Sequence, residues 1–369
     1  MESGSAEKIL VRGVNWLGDA VMTSPALQRL REARPGAWIC LLTPEKLAEL
    51  WQGQPYLDEV MTFSKEESVS SVGRRLREKG FTTAIAFPNS IRSALEIWLG
   101  HIPVRIGYGR PLRSLFLSQA MVLPPGAMKM RKKSEAEVKK LIATNAVPEV
   151  IPATAHHARH YLHLVTALGA SAEPLAPLLV VGEAAVEGVR ARFGIDDELE
   201  RPWFGLNPGA EYGAAKRWPA EYFIAAANEL TKLTNCRWLI FGAAADRALT
   251  ESIAQGIQGT SVVNLAGQTS LRELAAALKL CRVVISNDTG PMHVAAALGT
   301  PVVVPFGSTS PEMTGPFLGA NATILRHPVS CAPCFLRECP VDFRCLKGVE
   351  VKAVADGVME IYQRVEGTL

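Results

Sequence analysis

Strong net charge is missing from this sequence. Its 39 Lys and Arg against 36 Asp and Glu leave only +3 at pH 7, too little for a chain whose whole surface serves a nucleic acid. Long apolar runs are missing too, and nothing approaches the roughly 20 residues that a membrane-spanning helix needs. The opening Met1-Glu2-Ser3-Gly4-Ser5-Ala6-Glu7-Lys8 is polar and leads straight into a strand-like run, so no signal-peptide core is present. Seven cysteines in 369 residues are too few, and an odd number, for a secreted disulfide framework. These absences lead to the expectation of a cytoplasmic protein with no nucleic-acid partner.

Two nucleotide signatures are also lacking. G-x-G-x-x-G does not occur, because Gly107-Tyr108-Gly109 is followed by Arg110-Pro111-Leu112. Gly13 and Gly18 have Walker A spacing, but Asp19-Ala20 stands where a Lys-Ser/Thr pair would grip phosphate and magnesium. An acid there repels ATP. Cys331, Cys334, Cys339 and Cys345 have C-x2-C-x4-C-x5-C spacing, without the paired C-x2-C knuckles of a zinc ribbon. Structural zinc, packing thiols and a redox-sensitive loop all stay open for them. His156, His157, His160 and His163 share a helical stretch with no carboxylate nearby and read as packed or solvated surface. No metal and no resident cofactor are expected, and no short-period repeat is visible.

What is present is an ordinary soluble composition, 48% apolar and 20% charged, in a chain long enough for two domains. Short β-branched runs alternate with amphipathic stretches. Strands are expected at 9–12, 37–42, 60–63, 82–87 and 103–107, with helices at 19–34, 45–51, 69–79 and 90–99 between or after them. Order loosens over 108–155, helix returns at 157–168, and 169–177 reads as a linker. The alternation then resumes, with strands at 203–207, 238–241, 261–264, 281–285 and 301–304. Helices are expected at 220–231, 246–255, 270–280 and 349–365. The fold class is therefore α/β, two doubly wound parallel-sheet domains. The boundaries are 1–175 and 176–349, with a terminal helix, 350–369, as a candidate to pack back on the first domain. Two such halves place the largest cleft between them.

Charge is uneven along the chain. From His101 to Ser134 there are seven basic residues, Arg105, Arg110, Arg113, Lys129, Arg131, Lys132 and Lys133, and no acid. A local field of this kind suits an anionic partner, although a solvated basic loop reads the same way.

Four loops carry the candidate chemistry. Ser286-Asn287-Asp288-Thr289-Gly290-Pro291-Met292-His293 lies between a strand and a helix with Pro291 at its start and Gly299 past its end. Helix N–H groups favour anions there, and open parallel sheets bind ligands at that edge. Gly290 allows close approach of a phosphate and Thr289 offers a hydroxyl, whereas Asp288 suits sugar hydroxyls. A capped turn with Asp288 or Thr289 as N-cap is the plain alternative. The loop from Asn207 to Pro219 places Lys216-Arg217 at the same edge, suited to a diphosphate or else merely solvated. Gly13 to Asp19 is a third turn, in which Asp19 is either an N-cap or a carboxylate able to take a proton from an attacking hydroxyl. Phe241 to Asp246 is the fourth, with Asp246 capping a helix or holding a hydroxyl.

Three stretches, 10–27, 207–219 and 286–311, resemble glycosyltransferase family 9, and 331–340 is similar to the members of that family that act on lipopolysaccharide. The resemblance spans the chain. It implies a GT-B fold, two Rossmann-like domains facing across a cleft, with inversion at the sugar's anomeric carbon. It implies ADP-L-glycero-D-manno-heptose as donor and co-substrate, and a lipid A-linked inner core bearing Kdo and heptose as acceptor. By position, Asp19 is the general base and Lys216 neutralises the departing diphosphate. Asp288 holds donor heptose hydroxyls, Thr289, Gly290 and His293 surround the phosphates, and Asp246 lies near the adenosine ribose. Asn15, Arg110, Arg113, Arg131 and Lys132 are the expected acceptor contacts, with the basic stretch touching the inner face of the inner membrane. The alternatives are another sugar-nucleotide enzyme of this architecture, such as a UDP-sugar 2-epimerase, and a non-catalytic nucleotide-sugar binding module.

Overall fold

The computed structural model describes residues 7–196, 201–318 and 322–366. Unalternating apolar runs such as Ile9-Leu10-Val11 and Val302-Val303-Val304 are what strands covered on both faces require, and all six residues are buried. The first six strands are β1 (Lys8–Arg12), β2 (Trp38–Pro44), β3 (Glu59–Phe63), β4 (Thr83–Ala86), β5 (Val104–Tyr108) and β6 (Gln119–Met121). The other six are β7 (Trp203–Asn207), β8 (Arg237–Ile240), β9 (Val262–Asn264), β10 (Val284–Ser286), β11 (Val302–Phe306) and β12 (Ala322–Arg326). They form two six-stranded sheets, ordered β3-β2-β1-β4-β5-β6 and β12-β11-β10-β7-β8-β9. Every pairing is parallel. Counted from its own first strand, the second sheet repeats the order of the first. Each therefore has one point where the winding reverses, between β1 and β4 and between β7 and β10. The doubly wound α/β expectation is met.

The chain divides into two compact units, Met1–Ala127 with His156–Val180, and Met128–Ala155 with Val181–Leu369. In the first, Leu10, Cys40, Leu42, Ala84 and Ala86 of the sheet pack with Val72, Leu76 and Ile97 of the covering helices. In the second, Phe204, Leu206, Trp238, Ile240, Ile285 and Val303 form the centre. Full burial of each large apolar side chain contributes about 1.5–3 kcal/mol. Local signals set the helix ends: Ser68 Oγ accepts from Ser71 N at the start of Val69–Lys79, and Gly80, at φ 67°, ends it.

Two boundary expectations are corrected. The segment 128–155, assigned above to the first domain, belongs with the second unit. Buried Lys133 explains why: its Nζ donates to Pro333 O at 2.7 Å and its backbone N donates to Cys334 O at 3.0 Å. Val138 packs with Cys331 and Cys334, and Ile151 and Ala155 pack with Met313 and Phe335. The terminal helix, Val351–Glu366, is likewise part of the second unit's core, through Val354, Ala355, Val358 and Ile361.

Candidate active site

In the second unit β7 and β10 adjoin with Asn207 opposite Ser286, so the loops leaving their carboxyl ends run side by side. Side-chain amides knit them. Asn207 Nδ2 donates to Ser286 Oγ at 3.0 Å and to Thr289 Oγ1 at 2.8 Å. Asn287 Nδ2 donates to Pro208 O at 2.7 Å, and Asn287 Oδ1 accepts from Trp218 N at 2.9 Å. This bracing delivers Lys216, at the end of the short turn Ala214–Lys216, onto Asp288. Lys216 Nζ lies 2.6 Å from Asp288 Oδ2 and donates to Asp288 O at 3.1 Å. Thr309 Oγ1 donates to the same carboxylate oxygen at 2.5 Å. The Asp288 side chain is 4% exposed and that of Lys216 14%. Removal of both from water is offset only because partners surround them. Thr309 was not singled out from the sequence. Its signal was the hydroxyl run Ser308-Thr309-Ser310 after β11, the strand beside β10.

Thr289 is the N-cap of the helix Gly290–Ala297, and its hydroxyl is engaged by Asn207 rather than by the helix. His293, on the second turn, is buried. Burial pushes its imidazole down to about 4; Lys216 acts in the same direction, against Asp288 and a hydrogen bond to the Thr314 backbone. The ring is therefore neutral near pH 7. In the unfolded chain the same ring returns to about 6.5. Between about pH 6.5 and 4 the unfolded chain binds a proton that the folded chain refuses, so stability falls as pH falls through that window. The loss reaches about 1.4 kcal/mol per pH unit once fully developed. His157, also held at about 4 by burial first and by its histidine neighbours second, adds a loss of the same sign. Urea midpoints measured at pH 7 and pH 5 should fall on acidification, with a smaller fall in His293→Gln than in the unaltered chain.

Asp246 closes the other side of the loop after β7. Arg217 Nη2 lies 3.2 Å from Asp246 Oδ1, and Asp246 Oδ2 accepts from Ala243 N at 3.2 Å. Gly209 makes room for it, because a Cβ there would lie 2.4 Å from Asp246 Oδ2. Gly209→Ala forces the carboxylate away from both partners. It is expected to lower the unfolding free energy by about 1–3 kcal/mol, which thermal melts would check.

In the first unit the loop after β1 leads into the helix Leu17–Ala33, whose N-cap is Trp16. Asp19 is thus its third residue and not the N-cap, partly exposed in the first turn. The Tyr161 phenol is held well above its ordinary value by removal from water and then by the charge of Asp19. Below the loop, Arg12 Nε and Glu96 Oε2 pair at 2.8 Å, both buried. Arg12 Nη1 donates to Gly13 O at 2.6 Å and to Asn15 Oδ1 at 3.4 Å, leaving Asn15 exposed.

The acceptor candidates separate. Arg110 is exposed on the first unit. Arg113 is a correction: its side chain is wholly buried and donates to Ser90 O at 3.2 Å, to Pro88 O at 2.9 Å and to Tyr108 O. It ties loop carbonyls together and offers nothing to a ligand. Arg131 and Lys132 lie on the second unit, Arg131 forked onto Glu137 at 2.9 and 2.6 Å.

The seven cysteines are free thiols. Cys331, Cys334 and Cys345 are buried, and burial, with the neighbouring thiols, pushes Cys345 up to about 12. Among the described residues no group of three or more His, Cys, Asp or Glu is placed to hold a metal ion. None of the described helices is long and apolar enough to cross a membrane.

Residues 69–343 match the profile of glycosyltransferase family 9 (heptosyltransferase). Lipopolysaccharide heptosyltransferase 2 of Escherichia coli strain K12 is 31% identical over 328 residues, 86% of this chain and 88% of that protein. The protein of the same name from Salmonella typhimurium is 30% identical with the same coverage. Among solved structures, that of E. coli ADP-heptose LPS heptosyltransferase II superposes with a TM-score of 0.78 at 27% identity, covering 97% of this chain and 99% of that one.

Proposed function

The chain belongs to glycosyltransferase family 9, the heptosyltransferases, and from that premise we propose that it moves L-glycero-D-manno-heptose from ADP-heptose to the heptosyl-Kdo inner core of lipopolysaccharide. It does so with inversion and without a metal. The observation that carries this reading is the Lys216–Asp288 pair, its carboxylate buried and its ammonium partly so, at the edge where β7 and β10 adjoin, a cation and a carboxylate held ready for a diphosphate and a polyol.

In a single displacement the acceptor hydroxyl attacks the anomeric carbon, its proton passes to Asp19, and the bond from that carbon to the diphosphate oxygen breaks. Charge then accumulates on departing ADP, and Lys216 neutralises it. Asp288 takes heptose hydroxyls, Thr289 and the Gly290 turn meet the phosphates, and neutral His293 forms an uncharged floor beneath them. Asp246 takes the ribose. ADP-heptose is a co-substrate, and no resident cofactor takes part. Asn15, Arg110, Arg131 and Lys132 serve the anionic acceptor, whose lipid A anchor brings the cytoplasmic enzyme to the inner face of the inner membrane. Exposed Leu112 and Leu115 next to Arg110 support that contact.

Incubation with ADP-heptose and a lipid A-linked core carrying Kdo and one heptose is expected to release ADP and add one heptose, with UDP-sugars inert. No ADP release from that pair overturns the reading.

A further inference from the structure

Three cations converge on the ring of Tyr212. Lys216 Nζ lies 5.1 Å from its centroid, the Arg337 guanidinium carbon 5.3 Å and Lys132 Nζ 5.8 Å. They come from three separate segments of the second unit, and each segment is pinned. Tyr212 Oη donates to Phe335 O at 2.7 Å, and Ala215 N donates to Arg337 O at 2.9 Å. Lys132 is fixed by its neighbour, the buried Lys133, through the bonds to Pro333 and Cys334 described above. Gly213, at φ 147°, lies so close that a Cβ there would sit 2.4 Å from Arg337 O. Packing of the backbone, and not the wandering of long side chains, brings the charges together.

Those charges are not balanced. Lys216 has Asp288, but among the described residues neither Lys132 nor Arg337 has a carboxylate within ion-pair distance, and both are exposed. An aromatic face attracts each cation and neutralises none of them. Like charges gathered at one point raise the local potential, which an anion lowers.

We propose that Lys132, Arg337 and the Tyr212 ring form a seat for a phosphate or carboxylate group of the substrates, with Lys216 as its inner wall. The proposal rests on the function above and adds Arg337 and Tyr212 to it, Tyr212 as a positioning residue. Two substrates carry such groups: the diphosphate of the donor and the acidic core of the acceptor.

The test uses the full chain, the double variant Lys132→Gln/Arg337→Gln and the conservative Arg337→Lys. The probes are ADP and adenosine, titrated by calorimetry at several salt concentrations, and the acceptor, by its KM. If the seat holds the diphosphate, ADP affinity falls about tenfold or more in the double variant, adenosine affinity stays level, and ADP binding depends less steeply on salt. Arg337→Lys recovers most of the loss. If it holds the acceptor's anion, ADP affinity is unchanged and acceptor KM rises about tenfold at constant kcat. A double variant that matches the unaltered chain in ADP affinity, acceptor KM and salt dependence overturns the seat. Failure of the underlying function looks different, because the unaltered chain then releases no ADP from ADP-heptose.

Discussion

Asp19→Asn is expected to lower kcat by roughly 10²–10⁴ while ADP affinity stays within about twofold. The amide keeps the size of the side chain and its place in the first turn of the helix Leu17–Ala33. What it loses is the basic oxygen proposed to receive the acceptor's proton. It also loses a negative charge near a helix N-terminus, which costs about 0.3–1 kcal/mol of stability and shows as a small drop in melting temperature. The two effects are separable. A rate loss that follows only from unfolding would vanish at lower temperature, whereas loss of a base persists wherever the protein is folded. Single-turnover rates with saturating donor, measured beside ADP titrations, decide the matter. Unaltered turnover in Asp19→Asn removes the base assignment.

Much of this arrangement is legible in the residues because the signals are local. The helix Val69–Lys79 and the strand Trp203–Asn207 have the predicted bounds, the first set by its cap and its glycine, the second by an apolar run. Lys216 and Asp288 were each marked by a loop after a strand, but their contact depends on β7 lying beside β10, a choice made by the whole sheet. The helix Glu135–Ala143 was lost in the basic stretch, although Ser134 accepting from Glu137 N is a capping pattern that the letters contain. The helix Glu183–Phe193 was missed after the expected linker, since its buried side is only Val186 and Val189. Arg113 misled for a different reason: charge in a sequence carries no mark of burial, and only the fold supplies the carbonyls that accept its donors. The allegiance of 128–155 was hidden in the same way, because it rests on Lys133 reaching carbonyls about 200 residues away.

Lys216→Met carries the second large effect, and it has two parts that must be told apart. Removing the ammonium leaves Asp288 buried with Thr309, among the described residues, as its remaining side-chain partner. Breaking a buried pair from one side costs about 3–5 kcal/mol, so the melting temperature should fall sharply. Transfer should also fall, by about 10²–10³, because the cation proposed to meet the charge on departing ADP is gone. The variant alone therefore cannot say whether the lysine serves stability or chemistry. Lys216→Met/Asp288→Asn can. With the carboxylate gone, no uncompensated charge is left inside, and much of the lost stability is expected to return. Activity should not return with it, since the cation proposed to meet the diphosphate is still missing and the carboxylate proposed to hold the sugar has gone too. Recovery of both together would mean that Lys216 acts only as a counter-ion to Asp288, and the leaving-group role would pass to another cation. The measurements are urea melts and initial rates on the two single variants and the double, with the coupling between them as the deciding quantity.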